Sequence, residues 1–570
     1  MVNGDRSALA DLCPIWILVA VLLAMYAPAF AQGAGVLPDR EARESDRDNP
    51  LQREAWFRRG RTVKGKSAAA LFYRAYQQKM KLRAARLTRG TATNAPFGAG
   101  SGWSPLGPTQ FSSQSNGASQ DYGFVSGRVT AVAVDPSDTT GNTVYVGGAY
   151  GGVWKSTNAG NSDPNTVTWT SLTDDQATLA TGTIAVQPGN NQLILVGTGE
   201  PNASGDSYYG LGILRSTDGG ASWALIRFAD SGGTPFQGIG FSKIAFSTDN
   251  PSLVVASASQ FALFPSSQSK FPGLYWSTDA GLSWHTANVQ DGTTPILQQA
   301  VSDVTYNSVN HTFYSAMAFH GFYSSTDGVN WTRLVRQPGA GLSVAACPAN
   351  ALSTCPIIRG EIAVRPGSVN EMYAFYVSVD FTTFKFPDRG VFKSTDGGGS
   401  WQAIPIAGIT NCGDQFGCGT NDQGIYDLAL AAVPNGSGTD LYAGAINLYK
   451  CSITSANPTC AATPFLNLTH VYGCSPVAWV SHVHPDQHAI GFAITGGRSL
   501  IYFGHDGGVS RAFDGYQLRS GSCAVANPFD NLNASLGSLT QFMWFSQHPT
   551  DSSTVMGAHR TTGRRRLRRG

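Results

Sequence analysis

Charge is what this chain has least of. Only 13% of its 570 residues are Asp, Glu, Lys or Arg, about half the usual share. That excludes a charged, solvated or disordered body. No C-x-x-C pair occurs anywhere, which removes the common spacing of structural zinc sites. After residue 31 no stretch is apolar enough to cross a bilayer, so no membrane span is expected once the leader is gone. The formal net charge of +2 points to no particular partner.

Glycine, by contrast, is abundant, with 66 residues alongside 29 Phe, 20 Tyr and 12 Trp. Such a mixture favours strands and tight turns over helices. The self-similarity of the sequence is more specific. Ser216-Thr217-Asp218-Gly219-Gly220-Ala221-Ser222-Trp223 recurs at Ser394 to Trp401, and at Ser277 to Trp284 with one glycine replaced by Ala280. A shorter copy runs from Ser325 to Trp331, and Ser156-Thr157-Asn158-Ala159-Gly160 is a variant whose tryptophan, read as Trp169, is displaced by an insertion. In each copy the Asp can accept from the backbone of the turn, glycine supplies the positive-φ position, and Trp begins the returning strand. Asp218, Asp279, Asp327 and Asp396, with Trp223, Trp284, Trp331 and Trp401, are therefore expected to be structural.

Between these hairpins a longer unit repeats. An alternating strand ends near proline, as in Val129 to Pro136, Thr183 to Pro188 and Glu361 to Pro366. A second strand, a third and the hairpin follow, giving four strands in roughly forty residues, the size of a propeller blade. Two blades without the hairpin follow, at Asp427 to Cys460 and Ala489 to Val509, and an eighth begins at Phe542. The expected fold is all-β, a propeller of four-stranded blades, about seven plus a truncated one, behind a short basic helical segment.

The ends differ from this body. Residues 1–31 read as an export signal, with an apolar run from Ile15 to Ala27 and a small-x-small site at Ala29-Phe30-Ala31. Residues 32–102 are a basic, partly helical segment and linker, with Phe72, Tyr76 and Met80 at i, i+4 and i+8 of a helix over 68–87. Residues 103–556 are assigned to the propeller. Residues 557–570 carry an arginine-rich tail, read as a shifted reading frame or truncated end rather than a nucleic-acid patch. An exported chain makes the eight cysteines after Cys13 candidates for disulfides. Short loops favour Cys347–Cys355, Cys412–Cys418 and Cys451–Cys460, leaving Cys474–Cys523.

The hairpin signature resembles the Asp-box, or bacterial neuraminidase repeat, found in sialidases, sortilin-type domains, xyloglucanase-like glycosidases and exported bacterial propellers. The resemblance covers Gly127 to about Gly515. It implies a propeller with peripheral boxes and leaves activity open. A sialidase of this kind is implied to need an R-I-P motif and an arginine triad, and no such motif is present.

Two functions are weighed. As a glycoside hydrolase the chain would need two carboxylates flanking a cleft, for which Glu200, Asp206, Asp303 and Asp427 are candidates. As a binding module for glycan or protein it would use aromatic insertions between strands, namely Tyr208, Tyr209, Phe261, Phe264 and Phe271. The binding module is the preferred reading, secreted or at the cell surface, with no nucleic-acid partner. No cofactor is expected, although an extended strand at 482–488 would align His482, His484, Asp486 and His488 as ligands for a divalent metal.

Overall fold

In a computed structural model of the protein, described residues are 68–88, 110–112, 122–202, 207–259, 272–348, 355–368, 370–380, 388–406, 409, 424–471, 483–513, 529–540, 542–551, 554–559 and 563–568. The fold is a seven-bladed β-propeller built from antiparallel four-stranded sheets. Its inner strands are Val129–Val134, Thr181–Gln187, Gly240–Phe246, Val301–Asn307, Ile357–Val364, Ala429–Asn435 and Gln487–Thr495. Each packs on the next, and the seventh returns to the first, so the ring closes with seven blades. Blade 4 is widened to six strands by Asn288–Asp291, which pairs parallel with Asn330–Arg333, and by Thr294–Pro295.

Alternation along the strands buries one apolar layer between each pair of blades. Between blades 2 and 3, for example, Leu195, Phe241, Val254, Tyr275 and Trp284 pack together. The inner strands also carry a common irregularity. Those of blades 1, 3 and 4 shift register at Val129/Ala131, Phe241/Lys243 and Val301/Asp303. Such a bulge re-aims the extra side chain. Here the extra residue is Thr130, Ser242 or Ser302, and its hydroxyl donates to the next blade, at Thr181 O (2.6 Å), Val301 O (2.5 Å) and Gly360 O (2.7 Å).

The Asp hairpins are closed turns. Asp218 Oδ1 accepts from Ser216 Oγ (2.8 Å) and Ser222 N (2.9 Å), and Oδ2 from Ser222 Oγ (2.5 Å). Asp279, Asp327 and Asp396 do the same, with Asn330 replacing the distal serine at Asp327. The tryptophans divide into two kinds. Trp284 and Trp331 donate to their own turns, at Gly281 O and Gly328 O. Trp223 and Trp401 reach back to the preceding blade, at Leu172 O and Arg336 O. Trp169 belongs to the second kind and donates to Leu532 O of blade 7.

Cys347–Cys355 and Cys451–Cys460 form disulfides. The second sits in blade 6 where other blades have an Asp turn, and Asn457 supplies the hydrogen bonds there, to Ser452 O, Thr463 O, Ala462 N and Thr463 N. Cys412, Cys418, Cys474 and Cys523 lie outside the described residues, as do residues 1–67 and hence the proposed export signal.

Two expectations need correction. The helix is present, Ala68–Thr88, but Phe72 and Met80 face outward at 41% and 36% exposure. Its docked side is Ala69, Tyr73 and Tyr76, set against Ala177, Leu211 and Tyr209, with the Arg227 guanidinium over the Tyr73 ring at 3.8 Å. Spacing alone does not distinguish two overlapping stripes on a short helix. The eighth unit also does not end at residue 556, the boundary expected for the propeller. Phe542–Gln547, Thr554–His559 and Gly563–Arg568 pair as three, the last taken from the arginine-rich stretch. Among the described residues no helix is long and apolar enough to cross a membrane.

Candidate functional site

Polar side chains collect along the propeller axis, at the end where inner strands begin. Arg128, Asp427 and Asp486 stand just before the inner strands of blades 1, 6 and 7. Glu200 and Asp506 follow the second strands of blades 2 and 7, which run antiparallel and so finish at that same end. The fold thereby gathers residues from four blades.

Arg128 organises the group. Its Nη2 lies 2.7 Å from Glu200 Oε2, with side chains only 2% and 0% exposed. Its Nη1 donates to Tyr426 Oη at 2.5 Å, and that hydroxyl donates to Asp506 Oδ1 at 2.6 Å. His488 Nε2 lies 2.8 Å from the same Asp506 oxygen, while Nδ1 is 3.4 Å from Asn202 Nδ2. The amide can only donate, so these contacts select a neutral imidazole carrying its proton on Nε2. Burial pulls His488 below the ordinary histidine value, against the opposing pull of Asp506. Burial opposes ionisation of Asp506, yet His488 and Arg128 hold its carboxyl well below the usual range. Asp486 is pushed well up, by burial and then by Asp506, although a hydrogen bond with Asp427 acts the other way.

Deeper in the channel a second group bridges blades 3 to 6. Lys243 Nζ is 3.9 Å from both Asp303 Oδ1 and Glu361 Oε2. Arg359 holds Glu361 at 3.4 Å and donates to Ile425, Tyr426 and Leu428 carbonyls of the blade 6 lead-in. Asp303 Oδ2 accepts from Ile362 N at 2.7 Å. Burial, reinforced by Glu361, pushes the Asp303 carboxyl up to about 7 against the pull of Lys243. Burial pulls Lys243 down, but Glu361 and Asp303 together hold it above the ordinary lysine value. Lys243, Arg359 and Glu361 border a cavity of about 120 Å³ that also meets Thr130, Asn202 and His488.

Of the residues singled out from sequence, Glu200, Asp427, Asp486 and His488 meet at the channel end, and Asp303 lies within the channel. Asp206, His482, Phe261, Phe264 and Phe271 fall outside the described residues. Tyr208 is buried and stacks on Tyr150 with centroids 3.9 Å apart; Tyr209 covers the docked helix. The described members of the metal-ligand row, His484, Asp486 and His488, do not share one extended strand. The strand starts only at Gln487, Asp486 is in the left-handed region at φ 68°, and the His484 ring lies beside Tyr122 and His505. Among the described residues no group of three His, Cys, Asp or Glu is placed to hold a metal ion.

Sequence reasoning missed Tyr426, Asp506, Lys243, Arg359 and Glu361 as members of the site. A signal existed for the channel group. Aligned on the I-A-V-x-P pattern, Lys243, Asp303 and Glu361 occupy one position in three consecutive inner strands.

No family model matches the sequence, and no curated protein matches it. Among solved structures, an ancestral GH74 enzyme is similar at TM-score 0.53 and 18% identity, covering 82% of this chain and 54% of that one. The chain thus spans about half the length of that enzyme. A YCF48 structure bound to D1 peptide gives 0.39 and 12%, covering 68% of this chain and 93% of that one. YCF48 from Cyanidioschyzon merolae gives 0.34 and 13%, with 68% and 94% covered. At such identity the GH74 likeness shows the fold alone.

Proposed function

We propose that this chain is an exported binding module whose propeller face receives a protein or glycan partner. The observation that carries this reading is the Arg128–Glu200 pair, sealed at 2% and 0% side-chain exposure. A glycosidase acid or nucleophile must reach its substrate. Here Glu200, Asp303 and Asp427 are at most 1% exposed and serve to join blades. The Arg128 group closes one end of the axis, and scaffolds of this kind carry their contacts on loops. Tyr150, half-buried and stacked on Tyr208, marks the part of the face best suited to stacking on a sugar or a side chain.

The two disulfides fit an oxidising compartment. The second reading, glycoside hydrolysis, is favoured by the fold-level likeness to the GH74 enzyme. Glycan and peptide arrays probed with the full chain test the binding reading. Saturable binding that Tyr150→Ala weakens tenfold or more, at unchanged Tm, supports it. An absence of any saturable ligand, with turnover of a glycan substrate, contradicts it.

A further inference from the structure

The channel cavity has a chemistry of its own, independent of what the face binds. Lys243 is enclosed by the ring, yet 48% of its side chain faces the open channel. Its nearest carboxylate oxygens are both at 3.9 Å, beyond hydrogen-bond length. Among the described residues, then, neither the ammonium nor Glu361 Oε2 has a protein partner at bonding distance. The ammonium opens onto the channel, so the acceptor that the protein does not provide comes from whatever fills the cavity, water or a ligand.

We propose that the channel binds a small polyol through adjacent hydroxyl groups, with Lys243 donating to one hydroxyl and Glu361 accepting from its neighbour. Charge argues for a neutral ligand. A bound anion would sit against Glu361 and Asp303, and a cation against Lys243 and Arg359, whereas a hydroxyl both accepts and donates. The 3.9 Å gap between Nζ and Oε2 suits two oxygens held side by side on neighbouring carbons. Asp303, 1% exposed behind the pair, does not touch the ligand and acts as a positioning residue for the ammonium. Size narrows the class. The cavity is about 120 Å³, while an apolar cavity of about 150 Å³ accepts benzene. Glycerol or another three- or four-carbon polyol fits, and a pyranose ring does not.

Ligand-observed NMR on full-length protein purified without glycerol tests this. Glycerol and 1,2-propanediol should bind saturably, 1,3-propanediol at least tenfold more weakly, and glucose should not compete with glycerol. Lys243→Met should weaken glycerol at least tenfold; the diol comparison in wild-type protein decides the matter should that variant misfold. Equal affinity for the two diols overturns the adjacent-hydroxyl geometry. Competition by glucose overturns the channel as the location. No saturable signal from any diol means that the cavity holds ordered water only, and overturns the proposal.

Discussion

The indole Nε1 of Trp169 donates to the backbone carbonyl of Leu532 at 2.9 Å, across 363 residues of sequence. Leu172 and Arg336 receive the same bond from Trp223 and Trp401 of the following blade. Trp169 therefore does for blades 7 and 1 what these residues do elsewhere, and it closes the ring. Ser535 and Ser126 reinforce the seam, donating to Val167 O and Leu536 O.

Trp169→Phe keeps most of the apolar face and removes the N–H. Leaving the Leu532 carbonyl unpaired should cost about 1–3 kcal/mol. Urea denaturation of the full chain measures it, and limited proteolysis should find the first new cuts near residues 529–540. A loss under 0.5 kcal/mol (about the noise of a surface substitution) contradicts the seam assignment.

The Asp turns yield two predictions of opposite sign. Asp279→Ala removes the acceptor for Ser277, Leu282 and Ser283 and should lower stability by about 1–2 kcal/mol. Ala280 sits at φ 55°, where Gly219 and Gly397 sit at 70°. Ala280→Gly relieves that left-handed residue and should raise stability by about 0.5–1 kcal/mol. Thermal melts check both, and neither substitution should change ligand affinity.

Arg128 neutralises Glu200 and anchors Tyr426 in a sealed site. Arg128→Met leaves a buried carboxylate uncompensated and should destabilise by about 3–5 kcal/mol. Adding Glu200→Gln should recover part of that loss. A double variant as unstable as the sum of its single variants would show that the two residues act separately.

Asp303 links stability to pH. Its folded pKa of about 7 lies above the unfolded value, about 3.9. The folded state therefore holds the extra proton between those values, and stability falls as pH rises from about 4 to 7. Asp303→Asn removes the ionisation, so wild type minus variant should decline across that window by about 2–4 kcal/mol and stay flat above pH 8. Melting curves at pH 5, 6, 7 and 8 measure it; a difference that stays constant or rises contradicts the buried acid.

The seven blades were legible because each carries its own local signal, the strand ending at proline or the turn built on Ser, Asp and Gly. The site was legible only as scattered residues. Glu200 stood out as an acid, but Arg128, which neutralises it, is 72 residues away, and Tyr426, which Arg128 also holds, is 298 residues from Arg128. No local pattern encodes such a pairing; ring closure creates it. The metal-ligand row misled for a related reason. Period-two alignment holds inside a strand, and 483–486 lie before the strand that begins at Gln487. The helix misled because two stripes share Tyr76, and only the docked surface around Leu211 selects between them.

One measurement separates a binding module from a hydrolase most directly. Full-length protein is incubated with a panel of soluble glycans and oligosaccharides while bound ligand and newly released reducing ends are both recorded. Sealed carboxylates predict saturable binding with no release above buffer. Release of reducing ends that disappears in Glu200→Gln, Asp303→Asn or Asp427→Asn protein that still folds would contradict the account.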